Sequence, residues 1–158
     1  MSTESDVWTT DPVTLRDVVL DEEAMQARLG DCPALERVWI LSLLGRTREA
    51  IAEGRVLLAQ STERFRPLLV LAQAYQRQYQ WHEAARLQEE ALCLARSLTR
   101  EALVRYQIGR RLFDEARYKD AAAEFEWARD LYRTAGRKRL AGVSGQALNR
   151  ARKLAENS

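Results

Sequence analysis

The stretch RYKDAAAEFEWARDLY, Arg117–Tyr132, decides the fold predicted for this chain. Tyr118 comes three residues before Ala121, while Phe125 and Ala128 follow that alanine by four and seven residues. These spacings bring small and aromatic side chains to one side of a helix. A small residue lets a second helix approach closely, and an aromatic ring fills the space beside it. The stretch therefore predicts one half of a packed helical hairpin.

The same arrangement occurs twice more, at earlier points of the chain. Ala50 and Ala84 take the place of Ala121, so the three anchors are 34 and 37 residues apart. Trp81 precedes Ala84 by three residues, and Ala91 follows it by seven. Self-similarity at this period is typical of helical repeat arrays, because each hairpin buries its apolar face only against its neighbours. We expect hairpins near 33–60, 65–97 and 100–135, a final helix near 137–155, and no sheet.

The pattern resembles the tetratricopeptide repeat (TPR) family, whose repeats have small residues at positions 8, 20 and 27 and aromatic residues at positions 11 and 24. The last repeat of this chain matches at four of these positions: Gly109, Ala121, Phe125 and Ala128. The middle repeat also matches at four: Ala72, Tyr75, Ala84 and Ala91. The middle repeat departs from the pattern at position 24, which is Gln88, and the last repeat departs at position 11, which is Leu112.

The first repeat departs furthest from the family pattern. It keeps Ala50, but other residues stand at the remaining anchors: Val38, Leu41, Gly54 and Leu57. The resemblance implies an all-α fold in which antiparallel helical hairpins stack as a short right-handed TPR-like superhelix with terminal capping helices. Three TPR-like repeats would then fill residues 31–136, divided as 31–64, 65–101 and 102–136.

The two ends of the chain carry opposite charge. Residues 1–31 hold eight acids and two bases, a net charge of −6, and residues 133–158 hold seven bases and one acid, a net charge of +6. We expect residues 1–10 to be disordered and residues 11–30 to form an acidic helical segment that begins at Asp11-Pro12. Residues 137–158 should form a basic capping helix with an apolar stripe: Leu140, Val143, Ala147, Leu148, Ala151 and Leu154. Solvated helix faces are the simplest alternative explanation of both charge clusters.

No residue pattern in the chain points to catalysis. The single histidine, His82, has no suitable neighbours, and Cys32 and Cys93 lack the spacing of a zinc site, so we expect no metal and no cofactor. No apolar run approaches the roughly 20 residues of a membrane helix, and the N-terminus lacks the features of a secretory signal. We therefore expect a cytoplasmic protein that is not an enzyme, makes no membrane contact and has reduced thiols.

The resemblance also implies a concave groove lined by the first helix of each hairpin. The residues that fall at the lining positions are apolar, polar or basic: Leu35, Trp39, Arg66, Leu69, Gln73, Arg77, Tyr106, Arg110 and Phe113. Such a lining suits a peptide or helix of another protein with apolar anchors and acidic flanks. The acidic segment 11–29 is the alternative occupant. Trp127 is predicted to be exposed on the convex side, where it would suit self-association.

These features predict a protein-interaction scaffold or adaptor whose concave groove binds a peptide or helical segment. A bacterial secretion-type chaperone is one alternative, because that class has a similar length, three such repeats and helices at both ends. The other alternative is a regulatory module that contacts nucleic acid through the basic C-terminal tail. That tail lacks the aromatic residues on which bases stack, so we do not expect a nucleic-acid partner.

Overall fold

Residues 7–157 are described by the structure, a computed structural model, and they form eight helices and two short strands. The strands are β1 (Trp8–Thr10) and β2 (Asp17–Val19). The helices are α1 (Glu22–Arg28), α2 (Ala34–Leu43), α3 (Thr47–Gln60), α4 (Phe65–Arg77), α5 (Trp81–Leu94), α6 (Leu98–Asp114), α7 (Tyr118–Thr134) and α8 (Lys138–Glu156). The helices α2 to α8 lie where the three hairpins and the final helix were predicted, to within a few residues.

The N-terminal segment differs from the prediction of no sheet and of a helix from residue 11. β1 and β2 pair antiparallel, with Trp8 opposite Val19. The turn between them is closed by the Asp11 N–H, which donates to the Arg16 carbonyl at 2.8 Å, and Leu15 adopts a φ of 58°. Asp-Pro suits a turn as well as a helix start, and here the turn prevails. Residues 1–6, part of the segment predicted to be disordered, lie outside the described residues.

The acidic segment becomes helical only at its end. Asp21 is the N-cap of α1, and its carboxylate accepts a hydrogen bond from the Ala24 N–H at 3.0 Å. Glu22 and Glu23 occupy the first turn, where negative charge favours the positive end of the helix dipole. Of the segment 11–30, which was predicted to be helical, only the last part forms a helix, of two turns, and it is preceded by strand β2 and the N-cap.

Four helix–helix turns share one backbone geometry. A residue in the left-handed region follows α2, α4, α6 and α7, and these residues are Gly45, Tyr79, Ala116 and Gly136. The N–H of each of these residues donates to the carbonyl three residues earlier, as Gly45 does to Ser42. The N–H of the next residue donates to the carbonyl five residues earlier, as Arg46 does to Leu41. This is the Schellman arrangement, which satisfies the last carbonyls of a helix. It reverses the chain tightly enough for antiparallel helices to pack.

The chain divides into two units, the first of residues up to Asp11 with Arg16–Leu87 and the second of Pro12–Leu15 with Gln88–Ser158. In the first unit α2, α3 and α4 pack on one another. A cluster of buried residues joins them: Val38, Leu41, Ala50, Val70 and Ala74. Gly54 permits the close approach, because a Cβ added there would lie 2.9 Å from Leu71 Cδ1 and 3.3 Å from Val38 Cγ1.

In the second unit α7 packs between α6 and α8. Gly109 of α6 lies against the Phe125 ring of α7, and a Cβ added to it would come within 2.6 Å of that ring. The predicted stacking of the final helix on the third hairpin is confirmed, but its buried face is rotated from the predicted stripe. The buried residues are Ala141, Ser144, Ala147, Leu148 and Ala151, while Leu140, Val143 and Leu154 are half-buried.

Candidate partner-binding face

The residues predicted to line a groove divide between the two units. Those from Leu35 to Arg77 lie on α2 and α4 of the first unit, and Tyr106, Arg110 and Phe113 lie on α6 of the second. Within the first unit α2 and α4 pack against each other, so their lining residues belong to one surface. We call this surface the α2/α4 face and define it by Leu35, Trp39, Arg66, Gln73 and Arg77.

The N-terminal hairpin covers the aromatic part of the α2/α4 face. The ring of Trp8 meets that of Trp39 edge to face, with ring centroids 5.1 Å apart and planes at 81°. Both rings join a cluster built on Val7, Met25 and Ile40. An edge-to-face pair of this kind adds about 0.5–1.5 kcal/mol to the effect of area burial. Trp39 is therefore already engaged by its own chain.

The basic part of the face is also engaged by the hairpin. The guanidinium of Arg77 donates a hydrogen bond to the backbone carbonyl of Asp17 in β2. The guanidinium of Arg16 lies 5.5 Å from the centroid of the Tyr79 ring, just beyond the end of α4. This contact is made to the main chain, so it does not depend on the side chain at that position. Arg66, by contrast, is exposed.

Two predicted lining residues lie in the core instead. Leu69 and Phe113 are each 7% exposed. Phe113 packs edge to face on Tyr118, with centroids 5.2 Å apart. Both were assigned to the lining by repeat position, but their apolar side chains are buried, and such burial stabilises the fold. Leu35 and Gln73 are half-buried, and Leu35 packs against the first-unit core.

The remaining predicted residues form a small group on α6. The Tyr106 ring packs on Phe125 with centroids 5.6 Å apart, and the Arg110 guanidinium lies 5.7 Å from the Tyr106 ring. Both side chains are half-buried. A cation beside an aromatic ring is weakly attractive and holds both groups in place.

The predicted exposure of Trp127 is confirmed at 47%. The guanidinium of Arg105 stacks on this indole, 3.6 Å from its centroid, and also pairs with both carboxylate oxygens of Glu124 at 3.4 Å. Burial raises the pKa of Glu124, and the neighbouring Arg105 opposes the rise. The sequence indicated the tryptophan but not its arginine partner, because that contact joins two different helices.

A cleft of about 330 Å³ lies between α2 and α3 of the first unit. Its lining is mostly apolar: Ala34, Val38, Ala52, Glu53, Val56, Leu57 and Gln60. Glu53 is held at its edge by Arg37, with Nε 2.7 Å from Oε1. Nothing in the sequence pattern indicated this cleft.

The residue types most often used in catalysis are dispersed. His82 is exposed, and Cys32 and Cys93 are free thiols. Burial raises the pKa of the Cys32 thiol, which makes it less reactive. Across residues 7–157, no three side chains of His, Cys, Asp or Glu come together as a metal site would need. In the same range no helix combines the length and apolar character needed to cross a membrane.

Comparison of the chain with protein-family models, curated proteins and solved structures gives no match.

Proposed function

We propose that the chain is a non-enzymatic interaction module of TPR-like repeats that binds an extended segment of another protein on its α2/α4 face. Two structural details support repeats of this kind. The left-handed turn residues Gly45, Tyr79 and Ala116 each lie five residues before a fully buried alanine anchor. Gly109 and Phe125, both anchors of the last repeat, meet directly.

The observation that carries the proposal is that the N-terminal hairpin of the chain already occupies the α2/α4 face. A short β-hairpin lies on it, with Trp8 packed against Trp39 and the Asp17 carbonyl accepting a hydrogen bond from Arg77. An isolated two-stranded hairpin is marginally stable in water, so this one depends on the helices beneath it. A surface that orders such a segment has the chemistry to order a similar segment from a partner.

The contacts define what that partner segment should contain. An aromatic or large apolar residue would take the place of Trp8 against Trp39. A backbone carbonyl would accept from Arg77, as the Asp17 carbonyl of the extended strand β2 does. Exposed Arg66 adds positive charge to α4, so acidic flanking residues would bind more tightly than basic ones. The ligand class is therefore an extended, acidic segment with an aromatic anchor.

The hairpin would act as a tethered competitor for the same face. A tethered segment has a high effective concentration, commonly in the millimolar range for short flexible links, and a partner must exceed it. Weakening the hairpin without altering α2 or α4 should therefore increase partner affinity. This is the opposite of the effect expected if the hairpin were only part of the core.

A labelled peptide of residues 7–21 serves as a defined probe of the face. Fluorescence anisotropy would compare its binding to the intact chain and to the Trp8→Ala chain. Loss of a buried aromatic anchor costs about 2 kcal/mol, so the variant should bind the peptide roughly 30-fold more tightly than the intact chain does.

Two controls separate binding at the face from binding elsewhere. Trp8→Ala combined with Trp39→Ala should lose the affinity gained, and Trp8→Ala with Val56→Ala, which changes an exposed residue on α3, should keep it. Circular dichroism would verify that each variant remains helical. Equal affinity of the intact and Trp8→Ala chains for the peptide would contradict the proposal.

A further inference from the structure

Independently of the α2/α4 face, we infer that two copies of the chain associate through their second units. The contact would join α7 of each copy to α8 of the other. On α7 we define the Trp127 face as the residues that share one side of that helix: Asp120, Ala123, Trp127, Asp130 and Thr134. On α8 we define the basic set as its exposed cationic residues: Lys138, Arg139, Arg152 and Lys153.

Trp127 has the properties of an interface anchor. Its indole is 47% exposed, yet it is held on one side by the stacked Arg105 guanidinium, 3.6 Å from the ring centroid. Arg105 is in turn held by Glu124. An aromatic side chain that is already fixed loses little conformational entropy on binding, and tryptophan and arginine are the residue types most often found at energetic centres of interfaces.

The Trp127 face carries two carboxylates, and its basic neighbours are the stacked Arg105 and the ion-pair partners Arg117 and Arg129. Asp120 and Asp130 flank the indole, each exposed, and none of the five residues of the face is basic. Asp120 pairs with Arg117 and Asp130 with Arg129, in contacts of 2.7 Å and 3.2 Å on the surface of one helix. Such exposed pairs contribute little to stability, so these carboxylates can exchange partners at low cost.

The charge of α8 is positive and complements the carboxylates of that face, while one member of the basic set, Arg152, pairs with Glu126 of α7 at 2.9 Å. Between Lys138 and Ala155 the helix carries no acidic residue. Gly142 adds an open position on the exposed side, because a Cβ placed there would meet nothing within 4 Å. Complementary potentials of this kind orient two surfaces and speed their association.

A second copy satisfies both surfaces at once. The Trp127 face and the basic set lie in the same unit, on helices that pack together. In a two-fold dimer, one copy's α7 meets its partner's α8 while the reciprocal contact forms simultaneously, which doubles every favourable pair and closes the assembly. A separate basic protein would satisfy only the Trp127 face.

Sedimentation equilibrium of the full chain tests the inference. The intact chain should show a reversible equilibrium between a species of 18.2 kDa and one of twice that mass, and raising the salt concentration should weaken it. Trp127→Ala should weaken the dimer by about 30-fold or more, because it removes a central anchor. Val56→Ala, a change to an exposed apolar residue in the first unit, should leave the equilibrium unchanged.

Charge reversal then identifies the second copy as the occupant. A chain with Asp120→Arg and Asp130→Arg should be monomeric, and so should a chain with Arg139→Glu and Lys153→Glu. Mixing the two should restore a heterodimer, because each mutated face meets its opposite and the two unmutated faces still match. Glu89→Arg, at an exposed site on α5, is the matched control and should dimerise normally.

Two results would contradict the association of two copies, and a third would change the partner. A chain that sediments at 18.2 kDa at every concentration would overturn the inference, as would failure of the two reversed chains to associate when mixed. A monomeric chain that binds an arginine-rich peptide through Trp127 would instead assign the face to a different protein.

Discussion

At the scale of single residues, the same position of the proposed repeats is packed in three different ways along the chain. Position 24 of the proposed repeats is Gly54, Gln88 and Phe125 in turn. Gly54 leaves room for Val38 and Leu71, while Phe125 fills the space left by Gly109, so large and small residues have changed places. Gln88 is buried and bonded, accepting from Arg111 Nε at 2.8 Å and donating to the Gln107 carbonyl at 3.3 Å. In the sequence Gly54 and Gln88 are visible only as departures from the pattern, because their compensating partners lie on other helices.

The Gly109–Phe125 contact gives a prediction at this scale. Gly109→Ala places a methyl group within 2.6 Å of the Phe125 ring, and overpacking of this kind costs about 1–3 kcal/mol. Helix propensity offsets about 1 kcal/mol of that cost. Gly142→Ala is the matched control, since it gains the same propensity with no neighbour within 4 Å. The free energy of unfolding in urea should be higher for Gly142→Ala than for the intact chain. It should be lower for Gly109→Ala than for Gly142→Ala by about 1–3 kcal/mol. Equal stability of the two variants would contradict the packing of Gly109 on Phe125.

At the scale of elements, the turns explain why the helix boundaries could be predicted. The alanine anchors at 50, 84 and 121 each follow a left-handed residue by five positions, and Ala141 follows Gly136 in the same way. The periodic pattern therefore marked both the packed face and the chain reversal before it. The N-terminal hairpin gave no such signal, because each strand has three residues, too few to show alternation. The buried face of α8 was misplaced because its small residues, Ala141 and Ser144, carry little apolar signal.

The turn geometry gives a prediction for Ala116. This residue holds a φ of 60°, which a side chain makes unfavourable by about 1–2 kcal/mol. Ala116→Gly removes that penalty and should stabilise the chain by about 1 kcal/mol, even though glycine makes the unfolded chain more flexible. Ala123→Gly, in the exposed interior of α7, is the control and should destabilise by about 1 kcal/mol. Thermal melts that place both variants below the intact chain would contradict the assigned turn.

At the scale of the whole molecule, the chain combines seven helices, α2 to α8, with a short N-terminal hairpin and helix α1. The helices α2 to α8 bury most of the apolar residues, whereas the hairpin consists of two three-residue strands. The sequence predicted that an acidic N-terminal segment would compete for the groove. It assigned Trp39 and Arg77 to the groove lining, and both contact the hairpin, but it missed Trp8, which lay in the stretch predicted to be disordered. Segments with few buried contacts open at lower free energy than the core.

Hydrogen exchange of the full chain tests most directly whether the hairpin leaves the α2/α4 face while the helices stay folded. The hairpin amides of Asp11 and Leu20, which donate to Arg16 and Val7, should exchange faster than core amides of α2 and α4. Trp8→Ala should accelerate the hairpin amides by roughly 30-fold, corresponding to the lost anchor, and leave the core of α4 unchanged. If hairpin and α4 amides instead exchange at one common rate in both proteins, the hairpin is a fixed part of the fold and the α2/α4 face is not a peptide-binding surface.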